Sequence, residues 1–144
     1  MTVELHAAVD DRLRAVGQRY TSKRRALVEA LARLRNTVPV PELLAGQRGL
    51  PQSSLYRNLA VLEQAGAVHR VVTDEGFARY EIAEDLTHHH HHLVCRSCGT
   101  VEDVTIPHSL ERQVERTLSD VASRTGFSAV SHRLDLIGLC RNCG

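Results

Sequence analysis

The sequence has no tryptophan, and aromatic residues make up only 3% of it, so the 42% of apolar residues that must build a core are mainly aliphatic. No apolar run approaches the roughly 20 residues that a bilayer-spanning helix needs, and no membrane partner is expected. The opening "MTVELHAAVDDRLRAVG" is acidic and amphipathic, without the charged-then-apolar order of an export signal. The expected compartment is therefore the cytoplasm. There is no His-Glu-x-x-His pair, and each candidate ligand cluster has enough protein ligands to close, leaving no open metal position for a hydrolase. Nothing marks one accessible cysteine of depressed pKa, as a thiol oxidoreductase would need. Neither catalysis nor a small organic substrate is expected. Internal repeats are missing, and low complexity is confined to one run of histidines.

The 144 residues suffice for one ordinary domain or two small, mutually supporting ones. The net charge of +1 is unevenly spread. Residues 1–70 carry 11 lysines and arginines against 6 acidic residues, and residues 71–144 carry 7 against 11. A basic front half suits a polyanion, and an acidic half rich in His and Cys suits metals.

Leu5, Val9, Leu13 and Val16 repeat at helical spacing up to Gly17. "TSKRRALVEALARLRN" predicts a second helix with Leu27, Ala30, Leu31 and Leu34 on one stripe, and "VPELLAG" a short third with Pro41 in its first turn. "QSSLYRNLAVLEQAG" predicts a fourth, with Leu55, Leu59 and Leu62 inward and Gly66 at its end. The period then changes to two. "AVHRVVT" and "FARYEIA", joined by "DEG", predict a hairpin. Helices followed by a hairpin give the order of a winged helix-turn-helix. "EDLT" reads as a linker, "HHLVC" and "TVEDVTI" as strands, and "SLERQVERTLSDVASRTG" as a helix with Leu110, Val114, Leu118 and Val121 inward. "FSAVSHRLDLIGLC" reads as a long closing strand. The expected fold class is α+β, with a winged helix-turn-helix over residues 1–84 and a small α/β unit over 85–144. The apolar surface of the second unit is generous for its length, which suggests a dimer.

In a helix-turn-helix the first turn of the second helix enters the major groove. Here that turn offers Gln52, Ser53, Ser54, Tyr56 and Arg57. Arginine can pair bidentately with guanine, serine can hold phosphate, and tyrosine can touch thymine methyls. Arg19, Lys23, Arg24 and Arg25 would flank the duplex backbone.

All four cysteines fall in two Cys-x-x-Cys turns, Cys95/Cys98 and Cys140/Cys143. Two such turns in a reducing compartment suit a closed tetrahedral zinc site. "THHHHHLVC" places five consecutive histidines just before the first pair. In an extended chain alternate side chains face opposite ways, so His89 and His91 point to one side and His90 and His92 to the other. One run can thus feed two metal sites, with His88 spare. For the first side the candidate partners are Glu111 and His132. For the second they are His69 and Glu81, with Glu84 or Asp85 as substitutes for Glu81. His6 and His108 read as surface residues.

With these features in place, the chain resembles the ferric uptake regulator family of metal-dependent repressors along nearly its whole length. The matching segments are "GQRYTSKRRALVEAL", "SSLYRNLAVLEQAGAVHR", "RYEI", "HHHHHLVCRSCGTVED" and "GFSAVSHRLDLIGLCRNC". The zinc-sensing branch resembles it more closely in "GFSAVSH" and "CRNC". The resemblance implies a homodimer that binds palindromic, AT-rich operator DNA near metal-homeostasis genes. It also implies Zn2+ held by Cys95, Cys98, Cys140 and Cys143, and a dimerisation-domain site of His89, His91, Glu111 and His132. His90 and His92 match an inter-domain regulatory site, and Tyr56 and Arg57 the recognition-helix pair. The chain also departs from the family. Thr37 falls where iron- and peroxide-sensing members carry a histidine. Zinc-sensing members have a carboxylate at the position of His69 and a cysteine near Glu81 to Glu84, and this chain has neither. A His69/Glu81/His90/His92 set suits Zn2+ and also Fe2+, Mn2+ or Ni2+. A metal store that uses the histidine run as a sponge is the reading from a different class, since it would bind metal without altering DNA affinity.

Overall fold

A computed structural model of the chain describes residues 2–34, 37–47, 49–71, 78–129 and 131–144. Helices α1 (Thr2–Ala15) and α2 (Ser22–Leu34) pack Val9, Leu13, Leu27, Val28 and Leu31 into one aliphatic core. Gly17, at φ +73°, ends α1 by letting its own N–H reach Arg14 O (3.0 Å) and that of Gln18 reach Leu13 O (2.8 Å). Helix α3 (Val40–Gly46) begins with Pro41 in its first turn, and α4 (Gln52–Gln64) turns Leu55, Leu59 and Leu62 inward. A two-residue strand β1 (Val38–Pro39) precedes α3, and it is too short and too proline-rich to show alternation in the sequence. Strands β2 (Val68–Val71) and β3 (Arg79–Ile82) pair antiparallel, with His69 opposite Glu81, in a sheet of order β1-β3-β2. The turn read at "DEG" lies outside the described residues. The core runs from Val9 to Ile82, and the architecture is a winged helix-turn-helix.

A 3₁₀ turn at Glu84–Leu86 stands where a linker is expected. Beyond it, β4 (His91–Cys95) pairs antiparallel with β5 (Val101–Val104) and parallel with β6 (Asp135–Gly138), and α5 spans His108–Thr125. Two expectations are corrected here. The long closing strand shrinks to four residues, because β4 offers only a short ladder for it to join. Most of the α5 stripe does not turn inward: Val114 is half-buried, but Leu110, Leu118 and Val121 are exposed, as are Leu136, Ile137 and Leu139 in and after β6. In a single chain these apolar side chains lie open to solvent. His6 is also corrected, being buried against the Tyr20 hydroxyl at 2.6 Å rather than lying on the surface. Among the described residues no helix is long and apolar enough to cross a membrane.

Candidate metal centres and nucleic-acid face

The two Cys-x-x-Cys turns meet where β4 ends and the chain closes. Cys95, Cys98, Cys140 and Cys143 place their sulfurs within 4.8 Å of one another. Cys98 Sγ lies 3.7 Å from Cys140 Sγ, too far for a disulfide. It is close to the edge of about 3.8 Å that a tetrahedron with bonds of about 2.3 Å requires. The Cys140 N–H donates to Cys95 Sγ at 3.3 Å, and the Cys98 and Cys140 amides lower the Cys95 thiol to about 6. The neighbouring Cys140 pushes the Cys143 thiol up to about 12. Sulfurs packed this closely do not all ionise unaided, and a bound cation removes that conflict.

The histidine run divides as alternation requires, although only His91 and His92 of the five lie within β4. The His89 and His91 rings stand edge to face with centroids 4.8 Å apart, and those of His90 and His92 do so at 5.0 Å. The first pair joins Glu111 of α5 and His132 of the segment before β6. His89 Nε2 is 3.0 Å from Glu111 Oε1, and His91 Nε2 is 2.8 Å from Oε2. His132 Nε2 lies 2.8 Å from Glu111 Oε1 but out of line for a hydrogen bond, so this buried nitrogen has no partner. Burial raises the Glu111 carboxyl, but the hydrogen bond with His91 and the nearby imidazoles bring it below its usual range.

The second pair joins Glu81 of β3 and Asp103 of β5. His90 Nε2 and His92 Nε2 both lie 3.0 Å from Glu81 Oε2. They stand 3.8 Å from Asp103 Oδ2 and 3.9 Å from Oδ1 respectively. Glu81 and His92 are both buried. The outer nitrogens are fixed as well: His90 Nδ1 donates to the His88 carbonyl at 2.8 Å, and His92 Nδ1 meets Asp135 Oδ1 at 3.1 Å. That leaves Nε2 of each ring facing the carboxylates, the arrangement that orients imidazole ligands. Burial lowers His92, but Glu81 and Asp135 outweigh it and lift it to about 9. Burial raises Asp103 above the usual carboxylate range, and its Oδ1 is buried without a hydrogen-bond partner. Two carboxylates and two imidazoles around a point are charge-matched to a divalent cation. The residues present fit a metal at all three clusters.

His69 is not a member of this set. It lies opposite Glu81 in the ladder, yet it is exposed and outside the cluster, and Asp103 takes the fourth place. Glu84 turns to His89 Nδ1 at 3.0 Å, and Asp85 pairs with Arg12, so neither replaces Glu81. The sequence does hold a signal for Asp103. If the first Cys-x-x-Cys turn closes a hairpin, His92 falls opposite Asp103, as the register shows. Thr37 is buried just before β1, and its carbonyl accepts from Arg79 at 3.5 Å.

At the nucleic-acid face, Gln52, Ser53, Tyr56 and Arg57 project from the first turns of α4 and are exposed, while Ser54 is half-buried. Arg19, Lys23 and Arg25 are exposed nearby, with Arg25 stacked 4.8 Å over the Tyr20 ring. Arg24 is engaged inside the fold: its Nε donates to Asn58 Oδ1 at 3.0 Å and its Nη1 to the Arg19 carbonyl at 2.5 Å. Asn58 in turn donates to the Ser54 carbonyl at 2.9 Å, so Arg24 braces α4 against the loop that carries Arg19.

Comparison with known proteins places these features in one family. The model of the Ferric uptake regulator family matches residues 15–137. The chain is 35% identical over 133 residues to the zinc uptake regulation protein of Mycobacterium tuberculosis (strain CDC 1551 / Oshkosh), covering 90% of this chain and 97% of that one. It is 28% identical to the peroxide operon regulator of Bacillus subtilis (strain 168), covering 97% and 93%. The Helicobacter pylori ferric uptake regulator, described with three functional metal binding sites, superposes with a TM-score of 0.77 at 22% identity, over 99% of this chain and 93% of that one. That likeness is one of fold. A zinc-bound manganese uptake regulator superposes with a TM-score of 0.61 at 28% identity, over 92% and 98%.

Proposed function

The chain belongs to the ferric uptake regulator family, transcriptional regulators rather than enzymes, and from that premise we propose that it is a zinc-responsive repressor of metal-uptake genes. It acts in the cytoplasm as a homodimer on palindromic operator DNA. The observation that carries this reading is the Glu81/His90/His92/Asp103 cluster, in which one carboxylate comes from the winged helix and three ligands come from the unit beyond the 3₁₀ turn. Glu81, His90, His92 and Asp103 would hold a divalent cation there, and that would tie β3 to the histidine run and β5. The buried Asp103 Oδ1, without a partner of its own, supports such a ligand.

The remaining roles follow from position. Residues 1–84 form the DNA-facing unit and residues 85–144 the dimerisation unit. Cys95, Cys98, Cys140 and Cys143 hold structural Zn2+, and His89, His91, Glu111 and His132 hold a second ion within the dimerisation unit. The exposed apolar side chains of α5 and β6 meet those of a second copy. Ser53, Ser54, Tyr56 and Arg57 meet the major groove, Arg19 and Lys23 the phosphates, and Arg24 positions the surface they share. Setting the hinge fixes the separation of the two recognition helices. Metal at 100 times its dissociation constant shifts each such equilibrium by at most about 2.7 kcal/mol, roughly a hundredfold.

Zinc as the signal is supported by the likeness to the mycobacterial zinc uptake regulation protein. A set of two imidazoles and two carboxylates without sulfur also suits Fe2+, Mn2+ or Ni2+, which supports a second reading with one of these as the signal. DNA binding measured against each metal decides between them. His90→Ala is expected to abolish the metal-dependent gain in DNA affinity in gel-shift assays while the dimer persists. A variant with the wild-type response would remove the regulatory assignment.

A further inference from the structure

One side chain outside the metal clusters touches both the turn that ends the recognition helix and the hinge. Arg12 sits on α1, whose Val9 and Leu13 are fully buried and fix the helix against the core. Its guanidinium reaches away from that core in two directions. Nη1 donates to the Gly66 carbonyl at 2.6 Å, at the end of α4. Nη1 also donates to Asp85 Oδ1 at 3.2 Å, and Nη2 to Asp85 Oδ2, so the carboxylate is gripped by both prongs of the fork. Asp85 is the middle residue of the 3₁₀ turn that separates β3 from the histidine run.

The surrounding backbone makes these contacts a junction. Gly66 has φ +75° and ends α4 with its own N–H on Glu63 O and that of Ala67 on Leu62 O. That conformation leaves its carbonyl free to face Arg12. The next residue, Ala67, accepts from the Ala83 N–H at 3.0 Å, so the end of α4 and the start of the hinge are already adjacent. On its far side the same turn carries Glu84, hydrogen-bonded to His89, and leads to His90. A change in hinge angle therefore has to pass the residue that Arg12 holds.

Resting on the proposed function, we infer that Arg12 is a positioning residue that transmits the setting of the hinge to the recognition helix, clasping Asp85 and the Gly66 carbonyl with one guanidinium. A role in global stability does not explain the contact. The Asp85 side chain is two-thirds exposed, and ion pairs this accessible add little to folding. Their directionality matters more, since a fork that binds three oxygens fixes an orientation that a lysine ammonium does not.

The test uses three full-length proteins: wild type, Arg12→Lys and Asp85→Asn. Arg12→Lys keeps the charge and loses the fork. Asp85→Asn removes a negative charge, so electrostatic attraction alone would tighten DNA binding, whereas loss of the clasp weakens the metal response. Each protein is titrated with a duplex that zinc-loaded wild type has selected from a randomised pool, with zinc and with a chelator mild enough to leave the four-cysteine zinc in place. Amide exchange of Gly66, Ala67, Leu86 and Thr87 is followed in the chelator-treated proteins. We expect both variants to melt close to wild type, to lose on the order of tenfold of the zinc-dependent gain in DNA affinity, and to exchange these four amides faster. Variants that keep the wild-type gain overturn the role of Arg12 while leaving the proposed function standing. A wild type that selects no duplex, or shows no gain, overturns the proposed function and this inference with it.

Discussion

The two halves of the chain handle apolar residues in opposite ways. From Val9 to Ile82, leucines and valines converge on one core, with Leu13, Leu27, Leu55, Leu59 and Leu62 fully buried. After His91 the buried apolar residues among those described dwindle to Val94, Cys95, Val101 and Ala122, while Leu110, Leu118, Val121, Leu136, Ile137 and Leu139 face solvent. The first half is held together by hydrophobic burial. The second has too little of it, and on the proposed function it depends on its ligand clusters and on a partner chain, as small units with thin cores generally do.

That contrast can be broken most severely at the cysteines. Cys140→Ser is expected to unfold residues 91–144 and leave the winged helix intact, which circular dichroism and zinc analysis on the same sample would reveal. A variant that keeps its β4–β6 amide protection would show that the sulfurs are dispensable. The next largest effect belongs to the first half. Leu59→Ala should cost about 2–5 kcal/mol in urea unfolding, the usual cost of a large cavity in a packed core. Ile137→Asp, on the exposed strand, should change the stability of the isolated chain by less than about 0.5 kcal/mol and yet reduce the sedimenting species to a monomer. Equal stability losses at the two positions would erase the distinction.

The smallest effect lies at the hinge between the halves. Arg12 holds the Asp85 carboxyl below its unfolded value of 3.8. The stabilisation is therefore present above that value and is lost as the pH falls through the lower folded one. Because Asp85 is so exposed, the amount should stay below about 1 kcal/mol. Asp85→Asn should flatten that segment of the acid unfolding curve, and an unchanged curve would detach Asp85 from the effect.

The same division explains what the sequence reveals. The helices α2 and α4 are legible because a 3.6-residue stripe is buried against elements of the same chain. The α5 stripe has the same period, but periodicity reports that a face is apolar and not what covers it. The division of the histidines between two clusters follows from alternation alone, and the cysteine cluster from spacing. Asp103 and Arg12 are harder to find, since neither shows in a periodicity or a motif. Asp103 needs the register of β5 against β4, and Arg12 needs the fold of the whole winged helix. His69 shows the limit from the other side: cross-strand pairing with Glu81 does not bring its ring into the cluster.

On the proposed function, neighbouring imidazoles of one run serve two separate metal sites, of which only one joins the two halves. The most direct test of this division is zinc stoichiometry read alongside DNA binding in wild type, His90→Ala/His92→Ala and Glu111→Ala. With three ligand clusters among the described residues, the wild type should bind three zinc ions per chain and each variant two. The zinc-dependent gain in DNA affinity should vanish in the double variant and survive in Glu111→Ala. Three ions in the double variant, or a DNA response indifferent to His90 and His92, would contradict the account.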